Sequence, residues 1–143
     1  MEIKLIQTGT PEYELMLQLR DEVLRRPLGM QLDRNALGKE DADFLICAFE
    51  EEAMVGCVIL TPLNRTTLKL RQMAVANGLQ GRGIGSQIVQ WAEAFARSKG
   101  YSEITMHARR YAIPFYTSLG YTTEGDEFTE VGIPHFSMRK EIL

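Results

Sequence analysis

The chain has 143 residues, enough for one domain with a proper core, and its 45% apolar and 24% charged content is ordinary for a globular protein. A net charge of −3 at pH 7 offers no electrostatic case for nucleic acid or an anionic membrane as partner. No apolar run reaches the length of a signal-peptide core or a membrane span, so a cytoplasmic single domain over residues 1–143 is expected, without leader or anchor.

In chain order, Glu2 to Gln7 reads as a short first strand. Thr10-Pro11-Glu12 is a helix start, with a capping hydroxyl, proline in the first turn, and Glu12 and Glu14 near the positive dipole end. That helix carries Tyr13, Met16, Leu19, Val23 and Leu24 toward the core and is expected to stop by Pro27. Pro27 to Asp43 is the least regular portion, with Gly29, Gly38 and four acids, Asp33, Glu40, Asp41 and Asp43. Phe44 to Phe49 and Met54 to Leu60 form an antiparallel hairpin whose acidic tip, Glu50-Glu51-Glu52-Ala53, reads as solvated. Cys47 and Cys57 lie in these apolar runs and read as buried reduced thiols rather than a disulfide.

Leu68 to Val75 alternates apolar and polar side chains until Met73, where the alternation breaks into an apolar run, the pattern a bulged strand gives. A turn at Ala76-Asn77-Gly78-Leu79 leads to Gln80-Gly81-Arg82-Gly83-Ile84-Gly85-Ser86. A helix follows, with Ile84, Ile88, Trp91, Ala92 and Phe95 on one face and Arg97, Lys99 and Gly100 at its end. Ser102 to Ala108 is a strand reached through that crossover helix and hence parallel to its predecessor. A second helix runs from about Tyr111 to Leu119, with Pro114 in its first turn and Gly120 as its stop. Tyr121 to Thr123 and His135 to Lys140 read as two further strands. The outcome is a mixed α/β domain whose two central strands are parallel neighbours, with no repeats, linkers or low-complexity tracts.

Glycines at 81, 83 and 85 allow a ligand to approach the backbone closely and point successive N–H groups at it, while the helix that starts there adds its positive dipole end. Arg82 and the Gln80 amide extend the donor set. A diphosphate fits such a site, which implies a nucleotide-type cofactor; a tight turn that uses glycine for geometry alone is the alternative. A dinucleotide fingerprint is a poor match because its third glycine position holds Ser86 and the acid of the following strand, Glu103, stands at its start rather than near its end, and a phosphate loop of the Gly-Lys-Ser/Thr type is absent.

Gln80-Gly81-Arg82-Gly83-Ile84-Gly85 resembles the Gln/Arg-x-x-Gly-x-Gly/Ala signature of the GNAT superfamily of acyl-CoA-dependent N-acyltransferases. Ala112-Ile113-Pro114-Phe115-Tyr116-Thr117-Ser118-Leu119-Gly120-Tyr121 resembles that family's helix ending in Phe-Tyr-x-x-Leu-Gly-Phe/Tyr. The resemblance implies a mixed, mostly antiparallel sheet flanked by helices, whose parallel central strands splay apart just past the bulge. It implies acetyl-CoA as cofactor, with its pyrophosphate on Gln80 to Ser86 and its pantetheine arm along Met73, Ala74 and Val75. It implies an amine acceptor, small molecule or peptide, entering from the other side beside Pro27 to Asp43, although a plain connecting loop there is the alternative. Many relatives pair, so a homodimer is compatible.

Acetyl transfer to an amine needs a bound thioester, a stabilised oxyanion, a neutral amine, and a proton for the departing thiolate. The bulge can free backbone N–H groups for the oxyanion. The resemblance makes Tyr116 the general acid; a core aromatic with a satisfied hydroxyl is the alternative reading. Where many relatives carry a glutamate, four residues before Met73, this chain has Lys69, and no carboxylate lies between Leu68 and Val75. His135, His107 and Glu130 are then the remaining candidate bases, acting directly or through water; a structural histidine on a strand is the alternative reading of His135, and an amine of low pKa needs no base. Arg109 stands where relatives often have a cofactor-contacting asparagine; with Arg110 it reaches the cofactor phosphates, binds an anionic acceptor to which Arg71 also contributes, or is surface charge. No metal site is expected. A non-catalytic acyl-CoA sensor on the same fold is the competing function, motivated by the missing strand carboxylate.

Overall fold

A computed structural model describes residues 1–34, 37–38 and 40–143. The chain runs β1 (Glu2–Ile6), α1 (Pro11–Arg20), β2 (Phe44–Glu50), β3 (Ala53–Pro62), β4 (Thr67–Val75), α2 (Ile84–Ser98), β5 (Glu103–Arg109), α3 (Ile113–Ser118), β6 (Thr122–Glu130) and β7 (Ile133–Glu141). The strands form one sheet in the order β1-β2-β3-β4-β5-β7-β6, and β4–β5 is its parallel pair. The expected mixed, mostly antiparallel sheet with a parallel central pair is therefore observed. Among the described residues no helix is long and apolar enough to cross a membrane.

Local chemistry accounts for the helices. Thr10 accepts from the Tyr13 amide at 3.2 Å and Pro11 occupies the first position, so α1 starts as its sequence indicates. It ends at Arg20, before Pro27 as expected, and a π-helical turn, Asp21–Arg25, and a tighter 3-10 turn, Arg26–Leu28, carry the chain on to Gly29 at φ +71°. Proline is tolerated there because the first residues of a helical turn need no amide donor. In α2, Ile84, Ile88, Val89, Ala92 and Ala96 are buried, with Trp91 stacked on Phe95 at its margin. Each fully buried aliphatic side chain contributes about 1.5–3 kcal/mol. Gly56 on β3 makes this approach possible, since a Cβ there would stand 2.5 Å from Ile88 Cδ1.

The core has two layers. Leu68 and Leu70 of β4 and Ile104, Met106 and Ala108 of β5 join α2 and α3 on one face of the sheet. Met16 and Leu19 of α1 pack with Cys47, Cys57 and Ala74 on the other. Cys47 and Cys57 face each other across β2–β3 as free buried thiols, and burial pushes Cys57 up to about 12.

The carboxyl-terminal hairpin departs from expectation. β6 runs from Thr122 through Gly125 to Glu130, and the link to β7 is only Val131-Gly132, both with positive φ (+47° and +77°). A two-residue turn with two left-handed positions matches strand twist. β6 is an edge strand exposed along nearly its whole length, so it has no buried face to impose an apolar alternation on its sequence.

Candidate active site

Arg71 lies opposite Ile59 and Ala74 opposite Cys57, so Gln72 and Met73 on β4 share the single residue Val58 on β3. Gln72 takes φ +55° to make this bulge. The extra residue reverses the alternation: Leu68 and Leu70 face α2 before the bulge, Met73 and Val75 after it, and Ala74 turns to the α1 side. The break in pattern at Met73 is this reversal.

β4 and β5 pair only from Thr67–Glu103 to Leu70–Met106. Residues 71–75 and 107–109 then diverge, so the splay begins just before the bulge rather than just past it. The wedge between them opens into a cavity of about 1420 Å³. Ligand pockets for drug-sized molecules are roughly 300–1,000 Å³, so this one has room for a large cofactor and an acceptor together.

One end of the cavity is the glycine loop. Gly81 and Gly83 take φ +83° and +81°, and a Cβ on either would meet nothing within 4 Å. Gly83 precedes α2 without a side-chain cap, and its carbonyl accepts from Gln87 at 3.1 Å. The first-turn amides of Ile84, Gly85 and Ser86 therefore have no intrahelical partner, and they border the cavity together with Gly81 and Gly83. Gly85 serves packing instead, because its Cβ would lie 3.2 Å from Phe115 and 3.3 Å from Met73. Gln80 donates through its side chain to the Val75 carbonyl at 3.0 Å, so it braces the loop against the end of β4.

Tyr116 lies across the wedge, 5% exposed, with its ring edge-on to Phe115 and Tyr121 and its surface on the cavity. Burial pushes its phenol well above the ordinary range, so it stays protonated at neutral pH.

The opposite face of the splay gathers side chains from four segments. His135, 3% exposed, has Nδ1 3.0 Å from the Ile133 carbonyl, which can only accept, so Nδ1 carries the proton. Its Nε2 faces Glu130 Oε2 at 3.7 Å, while Glu130 Oε1 lies 3.0 Å from His107 Nδ1. Phe128 sits between the two imidazoles, stacked on His135 and edge-on to His107. The three residues named as candidate bases are thus one cluster. Arg109 is not brought to the glycine loop. It projects to the α1 side, donating to the Leu24 carbonyl at 3.1 Å and the Tyr111 hydroxyl at 3.4 Å.

Behind this face is a group that sequence reading did not assemble. Arg20, 1% exposed, makes two bonds of 2.9 and 3.0 Å to Glu40, 3% exposed, which also accepts from Tyr13 at 2.6 Å and Arg71 at 3.3 Å. Burial would raise the Glu40 carboxyl, but Arg20 and Tyr13 outweigh it and hold it below the ordinary range. The available signal was Arg20 itself, which continues the apolar spacing of Tyr13, Met16 and Val23. Of the irregular segment expected to shape the acceptor side, Pro27 and Leu28 line the cavity; residues 35, 36 and 39 lie outside the described residues.

Residues 20–142 match the family model described as an acetyltransferase (GNAT) domain. The chain is 37% identical over 76 residues to YyaT of Bacillus subtilis, an uncharacterized protein, in a match covering 53% of this chain and 51% of that one. The chain spans about half to two thirds of the length of the first curated relatives it matches. Its fold is similar to that of an acyl-CoA N-acyltransferase from Pseudomonas aeruginosa, with a TM-score of 0.84, 17% identity, and 97% and 98% of the two chains covered. It is also similar to a GNAT family acetyltransferase from Elizabethkingia anophelis solved with acetyl-CoA bound, with a TM-score of 0.74, 21% identity, and 98% and 97% covered.

Proposed function

The chain belongs to the GNAT acetyltransferase family, and from that premise we propose that it transfers an acetyl group from acetyl-CoA to a primary amine by direct attack in a ternary complex. The observation that carries the proposal is the uncapped start of α2 opening into the same wedge as the bulge of β4 and Tyr116.

The residues present fit the cofactor. The amides of Gly81, Gly83, Ile84, Gly85 and Ser86, with Arg82, hold the diphosphate, and Gln80 keeps the loop in shape. The edge of β4 from Met73 to Val75, left without a β5 partner, offers backbone groups to the pantetheine arm. When bound, acetyl-CoA supplies a thioester: the C–N bond to the amine forms, the C–S bond breaks, and the thiol leaves carrying one proton.

The chain's residues manage charge and protons. Backbone N–H groups at the bulge hydrogen-bond the carbonyl oxygen as negative charge develops on it. Tyr116 gives its proton to the leaving sulfur. A phenol at roughly 10 opposite a cysteine-like thiol at roughly 8.5 transfers uphill in water, and burial raises Tyr116 further, so the proton moves only as negative charge gathers on the sulfur while the C–S bond breaks. The proton lost by the amine goes to Nε2 of His135, whose lone pair is free because Ile133 holds the hydrogen on Nδ1, or through water to Glu130. Direct attack is supported by the burial that pushes both thiols up and makes them poor nucleophiles at neutral pH.

The test is thiol release from acetyl-CoA over a panel of primary amines, with longer acyl-CoAs alongside. Turnover of at least one amine with stoichiometric N-acetyl product is expected. Tight coenzyme A binding with no release beyond slow hydrolysis for any amine would make the chain a binding module instead.

A further inference from the structure

Charge on the α1 side of the cavity is out of balance. Among the described residues the lining holds Arg25, Lys69, Arg71, Arg109 and Arg110 but one carboxylate, Glu130. Arg110 is neutralised by Glu127 at 3.2 Å. Arg71 shares Glu40 with Arg20, and that carboxylate already accepts four hydrogen bonds. Asp43, near Arg71, lies outside the lining. Glu130 lies beside His107 and His135 and is the one lining carboxylate that acts on Arg25. This leaves Arg25, Lys69 and Arg109 without an ion pair among the described residues, in a chain whose net charge is −3.

These cations are not splayed into solvent. Arg109 is anchored by two neutral acceptors, the Leu24 carbonyl and the Tyr111 hydroxyl, which fix its guanidinium and leave its charge unanswered. Arg25 follows Leu24 in the π-helical turn, half-buried, and is pushed below its ordinary value by burial and by the charges of Arg109 and Arg20, which outweigh the opposing charge of Glu130. Clustered guanidiniums held this way match an oxyanion, which takes paired N–H bonds from a planar fork. A polyamine would add positive charge to the same face.

Resting on the acetyl-transfer reading above, we infer that the acceptor is a small primary amine that also carries an oxyanion, a carboxylate or a phosphonate, seated against Arg25 and Arg109 while its amine points into the splay between β4 and β5. The α1 side selects the acceptor by that anion, and the amine is left to the bulge and the histidine cluster.

The experiment compares α-amino acids, β-alanine and 4-aminobutyrate with their amides, 3-aminopropylphosphonate with propylamine, and spermidine, using the full chain and acetyl-CoA. Rates are expressed per free-base amine, because amidation also lowers the ammonium pKa. For at least one pair the anionic member has the higher kcat/KM by about 10- to 100-fold, the range of a charge-assisted hydrogen-bonded pair, and the preference falls with added salt. Arg25→Gln brings the ratio within about 3-fold of one through KM, and Arg25→Lys recovers part of it. The phosphonate arm identifies which oxyanion is preferred. Equal or better turnover of amides or spermidine overturns this inference and leaves the transferase reading standing. If no amine turns over, the transferase reading fails, and titration of the coenzyme A-loaded chain with the same pairs decides the anion site: stabilisation by the anionic members that Arg25→Gln abolishes supports it, and none overturns it.

Discussion

Replacing Gly83 by asparagine and by aspartate separates the anion site from the geometry of its loop. Gly83 sits at φ +81°, where an L side chain costs about 1–2 kcal/mol and asparagine and aspartate are the residues best able to tolerate it. A Cβ there meets nothing within 4 Å, so neither variant clashes with the fold, and both carry nearly the same backbone penalty. They differ in one negative charge beside the uncapped first turn of α2. A carboxylate about 4 Å from a phosphate, at an effective dielectric near 20, costs about 4 kcal/mol, and every 1.4 kcal/mol is about tenfold. Calorimetry with coenzyme A should therefore find Gly83→Asp weaker than Gly83→Asn by about 10³-fold at low salt. The gap should narrow toward about 1 M salt, where the screening length is about 3 Å. Equal losses in the two variants would refute the anion reading and leave a loop whose glycines serve shape alone.

Three further outcomes follow from the same geometry. Tyr116→Phe should keep acetyl-CoA affinity near wild type and lower the single-turnover rate by about 10²–10⁴-fold, with a smaller loss for an acyl donor whose thiol is more acidic; an unchanged rate makes Tyr116 a core aromatic. His135→Gln and Glu130→Gln should each cost a high-pKa amine about 10²-fold or more in kcat/KM, with a smaller loss for an amine of low pKa, whereas rates identical to wild type would mean that the amine arrives without help from this cluster. Glu40→Gln leaves Arg20 buried without its counter-charge and should cost about 3–5 kcal/mol in denaturant unfolding at pH 7. Because the folded Glu40 carboxyl is held below its unfolded value of roughly 4.3, that difference should be complete above that pH and close as pH falls through it toward the folded value; a gap that persists at low pH would mean the loss is packing rather than charge.

What could be read from the sequence was whatever repeats locally. The break at Met73 announced the bulge because one extra residue reverses every side chain after it, and the reversal shows within eight residues. The glycine loop, the α2 face and the Thr10 cap are likewise local. β6 was not legible beyond its first residues, because an exposed edge strand has no face on which apolar residues are required. The π-helical turn after α1 was not legible for a related reason: it shifts the hydrogen-bonding period without a change in the apolar spacing that sequence displays.

The acceptor face was illegible for a different reason. Its side chains come from residue 20 to residue 135 and share no spacing, and their meaning depends on which charges the fold leaves unpaired. Arg71 and Arg109 look alike in sequence, yet one is tied to a buried glutamate and the other to a backbone carbonyl. That difference decides which guanidinium still has a charge to offer. Only after Glu40 is seen to serve Arg20, Tyr13 and Arg71 at once does the shortage of carboxylates become visible. The proposed cofactor loop is thus written in contiguous backbone geometry, which sequence displays. The proposed acceptor choice rests instead on a charge balance among side chains distant in sequence, and so Arg25→Gln is expected to alter the acceptor while leaving every motif of the proposed cofactor site intact.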